Sequence, residues 1–306
     1  MHKPKIIVIL GPTASGKSDL AVALAKKYGG EIISADSRQV YKGLDIGTGK
    51  ITKKEMKGVK HYLLDVVSPK KRFSASDFVK LTNETIVKIV NRNKIPIVCG
   101  GTGFYIDALL GDKQIPEVPP NEKLRKELEE KSVEELFAIL KKLDPERAKT
   151  IERQNPRRLV RAIEICKALG SVPKLVGSSQ QLVDRKYEAL KIGIKIPEAE
   201  LKKRINKRIE KWFGQGLLKE VKTLHRKGLS WKRMSEIGLE YKMVAEYYTT
   251  QKKPKAAFDT SQLKKKMAEK TWQYAKRQMT WFKRDKNIIW LPPKISLIQK
   301  EVKRFL

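Results

Sequence analysis

The stretch GPTASGKS, residues 11–18, constrains this chain more than any other, because it lies between the apolar run KIIVIL and the helical pattern DLAVALAKKYGG. A G-x-x-x-x-G-K-[ST] loop between a strand and a helix is a phosphate cradle. Gly11 and Gly16 let backbone N–H groups turn inward, and the helix beginning near Lys17 adds its positive dipole end. Lys17 supplies a point charge and the Ser18 hydroxyl suits Mg²⁺, while Pro12, Thr13, Ala14 and Ser15 complete the phosphate-binding loop. A nucleoside triphosphate is the default ligand. The loop touches phosphate alone, however, and would equally hold a diphosphate whose other half is not a nucleotide.

The same loop sets the fold class. KIIVIL, EIISAD and IPIVCGG are continuous apolar or β-branched runs of strand length, as parallel strands covered on both faces should be. Between the last two, SASDFVKLTNETIVKIVNRN reads as a helix capped by Ser74 or Ser76, with Phe78, Leu81, Ile86 and Ile89 on its apolar stripe. The expectation is an α/β chain with a P-loop NTPase-like core: a mostly parallel sheet flanked by helices. From about Gln114 to Asp184 the texture changes to IPEVPP followed by charged helical stretches, which reads as an all-helical insertion. ALKIGIKI returns to the sheet, a basic helical region follows, and NIIWL is a last short strand. The division expected is residues 1–113 with 188–306 as core, and 114–187 as insertion.

Charge narrows the partners. Lys and Arg number 67 against 34 Asp and Glu in 306 residues, a formal net charge of +33. A polyanion is the natural partner for such a surface. The early apolar run is too short for a spanning helix or a signal sequence, so a cytoplasmic protein without a membrane partner is expected. Two cysteines and three widely spaced histidines leave no zinc constellation and no disulfide framework.

A nucleotide kinase or hydrolase usually places an acid at the end of a second apolar strand to help hold its metal. Here the best later strand ends in Gly100, Gly101, Thr102 and Gly103. The nearest strand-end acid is Asp36 in EIISADSRQVY, which spacing alone leaves open as metal ligand, base or cap of the following turn.

GPTASGKS, SADSRQVYKGLDIGTGK, FSASDF, GGTGFYIDALL, NPRRLVRAIEI and AKRQMTWFKR occur in that order, and together they resemble the tRNA dimethylallyltransferases of bacterial type. The resemblance runs from about residue 6 to about residue 290. It implies a prenyltransferase that moves the dimethylallyl group of dimethylallyl diphosphate onto the exocyclic amine of adenosine 37, beside the tRNA anticodon. It also implies that residues 11–18 hold the diphosphate with Mg²⁺, and that Asp36 is the base, with Lys17 and Thr102 as the other catalytic residues. Asp36, Ser37, Arg38, Gln39 and Thr102 match the stretches that touch the target nucleoside. Thr102 reads equally as a cap for the helix that GFYIDALL opens.

The residues support RNA binding independently. In NPRRLVRAIEIC, Asn155 and Pro156 read as N-cap and first helical residue; Leu159, Ile163 and Cys166 fall on one face, Arg157 and Arg161 on the other, and Arg158 at its flank. Arg157, Arg158, Leu159, Val160 and Arg161 are taken as the segment on the tRNA anticodon stem-loop, against the plainer reading of a solvated basic face. Between Leu201 and Met234 there are twelve Lys or Arg and two acids, Glu210 and Glu220. In AKRQMTWFKR, Arg277 and Gln278 are taken as RNA-contacting, and Trp281 as either core or stacking platform. One departure is EIGLEYKM, where family members carry Ile-Gly-Tyr followed by Lys or Arg; Leu239 and Glu240 stand before Tyr241. A P-loop small-molecule kinase or an AMP prenyltransferase is the alternative activity, and the wide basic field argues against it. The chain is expected to act as a monomer with no obligate protein partner.

Overall fold

The computed structural model describes residues 3–113, 115–173, 185–250 and 260–306. The strands are β1 (Lys5–Leu10), β2 (Gly30–Ser34), β3 (His61–Tyr62), β4 (Ile95–Gly100), β5 (Glu188–Ile194) and β6 (Ile289–Leu291). They form one sheet in the order β3-β2-β4-β1-β5-β6, every pairing parallel. Parallel strands require crossovers, and the helices supply them. These are α1 (Lys17–Tyr28), α2 (Lys53–Met56), α3 (Ala75–Val90), α4 (Gly103–Leu109), α5 (Glu122–Glu129), α6 (Val133–Leu143), α7 (Pro145–Thr150), α8 (Pro156–Leu169), α9 (Glu198–Gly214), α10 (Leu217–Arg226), α11 (Trp231–Ile237), α12 (Leu239–Thr250), α13 (Ser261–Phe282) and α14 (Ile295–Phe305).

The chain divides into two compact units, Met1–Asp112 with Asp184–Leu306, and Lys113–Val183. The sequence expectation put the second crossing at 187/188. Tyr187 is buried and donates its hydroxyl proton to Asn83 Oδ1 of α3 at 2.7 Å, which fastens residues 185–187 to the core. Gln114 and Asp184, where the expected change of texture begins and ends, lie outside the described residues. Within the second unit every described element is a helix, built on Leu124, Leu136, Leu140, Leu159 and Ile163.

Local chemistry explains the elements. Ser74 caps α3 in a capping box with Asp77, and the buried stripe is Phe78, Thr82, Thr85, Ile86 and Ile89, with Leu81 only half-buried. β3 and α14 were not expected from sequence. β3 is two residues long in a polar stretch, and α14 buries Ile298 and Val302 in the cluster shared by α1, β1 and β5.

Candidate active site

In a parallel sheet all carboxyl ends share one edge, and ligands bind in the crevice outside it. The neighbours β2, β4 and β1 therefore bring three loops together: Ala35–Gln39 after β2, Gly101–Thr102 after β4, and residues 11–18 after β1. They line a pocket of about 340 Å³ whose wall includes Thr13, Lys17, Ser18, Asp36, Arg208 and Glu240.

The P-loop is preset. Gly11 and Gly16 have φ of 154° and 83°, and Ala14 takes φ 61°, a left-handed conformation that costs an L-residue about 1–2 kcal/mol. Lys17 opens α1, so the amides of Gly16, Lys17 and Ser18 lie at a helix start where N–H groups have no intrahelical acceptor. Two loop amides are already engaged: Thr13 N–H donates to Gln278 Oε1 at 2.9 Å and Ser15 N–H to the Pro12 carbonyl at 3.3 Å. Lys17 Nζ donates to the Pro12 carbonyl at 3.2 Å and forms no ion pair among the described residues. Desolvation lowers its pKa below the ordinary lysine value, with Cys99 and Asp36 opposing the shift and Arg208 adding to it. A cation that is desolvated and lacks an anionic neighbour in contact is a site prepared for an anion. Cys99, beside it, has its thiol pushed up to about 11 by burial and is no nucleophile.

Asp36 Oδ1 accepts the Arg38 N–H at 2.8 Å and the Gln39 N–H at 3.4 Å, so this oxygen caps the turn after β2. The capping geometry is therefore present, and it occupies one carboxylate oxygen. Thr102 stands at the N-cap of α4, but its hydroxyl makes no capping bond. It accepts the Ser37 N–H at 3.1 Å instead, which ties the β2 and β4 loops together.

Other expected contacts fall elsewhere. Gln278 is buried and spans two loops, accepting from Thr13 N–H while its Nε2 donates to the Gly101 carbonyl at 2.8 Å; it shapes the pocket, and its side chain is not laid out on the surface for RNA. Arg277 is exposed and lines the pocket. Trp281 packs edge-on against Phe104 and donates to Asp107 Oδ2 at 2.9 Å, which gives it a structural place. Leu159 and Val160 are buried in the helical unit, at 0% and 8% exposure, so their side chains are not offered to tRNA: helical periodicity turns both inward.

Arg161 is likewise not a free surface cation. Its guanidinium pairs with Glu164 and donates to the Val118 carbonyl at 2.9 Å. Glu164 is 2% exposed; burial opposes its ionisation, but Arg125, the Asn121 N–H and Arg161 hold its carboxyl below the usual range. Stability from this group is present above the ordinary carboxylate value of about 4.5 and is lost as pH falls through the lowered folded value. Arg161→Ala is therefore expected to destabilise by about 1–2 kcal/mol, read from urea unfolding at neutral pH.

Two pocket residues escaped the sequence analysis. Arg208 Nη1 donates to Thr13 Oγ1 at 3.2 Å and its guanidinium lies 4.9 Å from the Trp212 ring centre. Its signal was legible: Leu201, Ile205 and Trp212 are buried on α9, and Arg208 occupies the i+7 position of that apolar stripe. Glu240, from the atypical EIGLEYKM segment, also lines the pocket. Burial raises its carboxyl pKa, opposed by Arg208 and Arg38.

The fold and site define a P-loop α/β protein whose pocket gathers a lysine, an arginine and a strand-end carboxylate. Residues 39–285 match the family described as IPP transferase. The tRNA dimethylallyltransferase of Halothermothrix orenii is 40% identical over 289 residues, 93% of this chain and 86% of the relative. That of Staphylococcus epidermidis is 42% identical over 302 residues, 95% and 87% of the two chains. Among solved structures, the tRNA isopentenylpyrophosphate transferase of Bacillus halodurans superimposes with a TM-score of 0.72 at 34% identity, over 99% of this chain and 97% of that one. A eukaryotic dimethylallyltransferase acting on tRNA gives 0.78 at 27% identity, covering 94% and 74%. This chain belongs to the IPP transferase family.

Proposed function

We propose that this chain transfers the dimethylallyl group of dimethylallyl diphosphate to N6 of adenosine 37 in tRNA, releasing diphosphate. The observation that carries the reading is Lys17, desolvated and without an ion pair among the described residues, in one pocket with Asp36 and Arg208. The adenine amine is a weak nucleophile because its lone pair is delocalised into the ring. The C–O bond of the donor must therefore be largely broken before the amine attacks, with the electron pair leaving on the diphosphate. The helix-start amides, Lys17 and Arg208 stabilise that developing charge. As the C–N bond forms the amine becomes acidic, and the Asp36 carboxylate takes its proton.

Mg²⁺ fits this donor set. No group of three or more His, Cys, Asp or Glu able to hold a metal occurs among the described residues, so the Ser18 hydroxyl would supply the protein's share of the coordination, the rest coming from diphosphate and water. When bound, the ion adds positive charge at the leaving group.

The acceptor is tRNA and not free AMP, a reading supported by the charge of +33 and by the names of the relatives. Arg157 and Arg158 are the exposed arginines of α8, the latter also meeting Glu152 at 2.9 Å, and they form our proposed phosphate contacts. Replacing each with Ala is expected to flatten the log–log salt dependence of tRNA binding by about 0.7–0.9. The experiment that tests the function supplies labelled dimethylallyl diphosphate and Mg²⁺ with tRNA or AMP as competing acceptors. Label in the RNA supports the proposal; label in AMP overturns it.

A further inference from the structure

Residues 44–50, LDIGTGK, form one wall of the pocket through Gly47, Thr48 and Gly49. Its turn is closed locally, by Gly49 N–H on the Ile46 carbonyl at 2.9 Å and Lys50 N–H on the Asp45 carbonyl at 2.9 Å, while the amides of residues 45–47 are held from far along the chain. Glu220, in the first turn of α10, accepts three successive backbone N–H groups: Asp45 at 3.0 Å and Ile46 at 2.7 Å on Oε2, and Gly47 at 3.2 Å on Oε1. The buried Tyr241 donates its hydroxyl proton to the same Oε1 at 2.6 Å. All four partners are donors, and both carboxylate oxygens are in use. The wall in turn meets Arg208: the Gly49 carbonyl accepts from Nη2 at 3.4 Å, and a Cβ at Gly49 would overlap the guanidinium. Gly49 thus sets how closely the wall approaches Arg208, whose other nitrogen reaches Thr13 in the P-loop.

We propose that Glu220 is a positioning residue for the diphosphate site: its carboxylate fixes the 45–49 wall, and the wall fixes Arg208 over the P-loop. This deepens the prenyl-transfer reading and rests on it. Its role is a matter of donor and acceptor count. Glu220→Gln has the same shape, but one oxygen becomes an NH₂ group that must face N–H or O–H donors, so at least one of the four bonds is lost.

The test compares wild type, Glu220→Gln and Tyr241→Phe. Hydrogen exchange of the 45–47 amides reports the wall, calorimetric titration with inorganic diphosphate reports the site, and transfer kinetics report its use. Glu220→Gln is expected to speed exchange at 45–47 about tenfold or more. Affinity for inorganic diphosphate should weaken about tenfold and kcat/KM for dimethylallyl diphosphate should fall by at least a similar factor, while tRNA Kd changes less than threefold. Tyr241→Phe, which leaves the three backbone bonds, should show the same pattern at about two- to threefold. Unchanged exchange or unchanged diphosphate affinity in a folded Glu220→Gln protein would overturn the proposal. So would a fall in kcat alone. Should Glu220→Gln not fold, Tyr241→Phe decides by the same criterion. A wild-type protein that prenylates no RNA would defeat the functional reading separately, since exchange and diphosphate binding are read without turnover.

Discussion

Replacing Lys17 by Met is expected to reduce prenyl transfer by about 10²–10³ at saturating substrates while leaving tRNA affinity nearly unchanged. One preorganised charge facing a leaving group is commonly worth that much. The same substitution should not harm the fold. Lys17 has its pKa lowered by burial, so below its folded value the protein carries a poorly solvated ammonium that the unfolded chain would solvate fully. Removing it should leave the ligand-free melting temperature equal or higher at neutral pH. The advantage should fade as pH rises toward the ordinary lysine value of 10.5, because the wild-type group then loses its charge. Rapid-quench transfer assays and thermal scans across pH measure both halves. A variant keeping more than about a third of the wild-type rate would remove Lys17 from the leaving-group site.

Asp36→Asn should cost turnover about 10²–10⁴ if the carboxylate takes the amine proton. The substitution discriminates because the two candidate roles use different properties of the same group. The amide oxygen can still accept the Arg38 and Gln39 N–H groups that Oδ1 now accepts, so the turn after β2 should survive. It cannot accept a proton at working pH. A stable Asn variant with normal turnover would leave Asp36 as a turn cap and nothing more. A stable variant that binds both substrates and transfers slowly would support the base.

What the sequence disclosed follows the range of the interactions concerned. The P-loop and the five longer strands were legible because each is defined within about ten residues by apolar runs, glycines and a following helix. The edge strand β3 was not: two residues paired to Ile32 and Ile33 carry no periodicity of their own. Asp36 and Thr102 were legible as strand-end residues and Lys17 as the P-loop lysine, and the parallel sheet brings their loops to one edge. Arg208 was obscured by its setting, a stretch from 201 to 234 holding twelve basic residues, in which only the apolar stripe of α9 marks one as inward-facing. Leu159 and Val160 lay in a basic segment, but the helix that carries Arg157 outward carries them inward. The 45–49 wall was beyond local reading, since its anchor, Glu220, is about 175 residues away and looks in sequence like one of the few acids diluting a basic helix pair.

The central claim is that this pocket delivers a dimethylallyl group to the adenosine beside the anticodon, and the direct measurement is on the RNA. Unmodified tRNA is incubated with the protein, dimethylallyl diphosphate and Mg²⁺, digested with a base-specific nuclease, and the fragments are sequenced by mass spectrometry. One dimethylallyl group is expected, on N6 of adenosine 37, formed by the wild type and scarcely by Lys17→Met. Modification at any other nucleotide, or an anticodon-loop fragment that stays unmodified while AMP in the same mixture is prenylated, would contradict it.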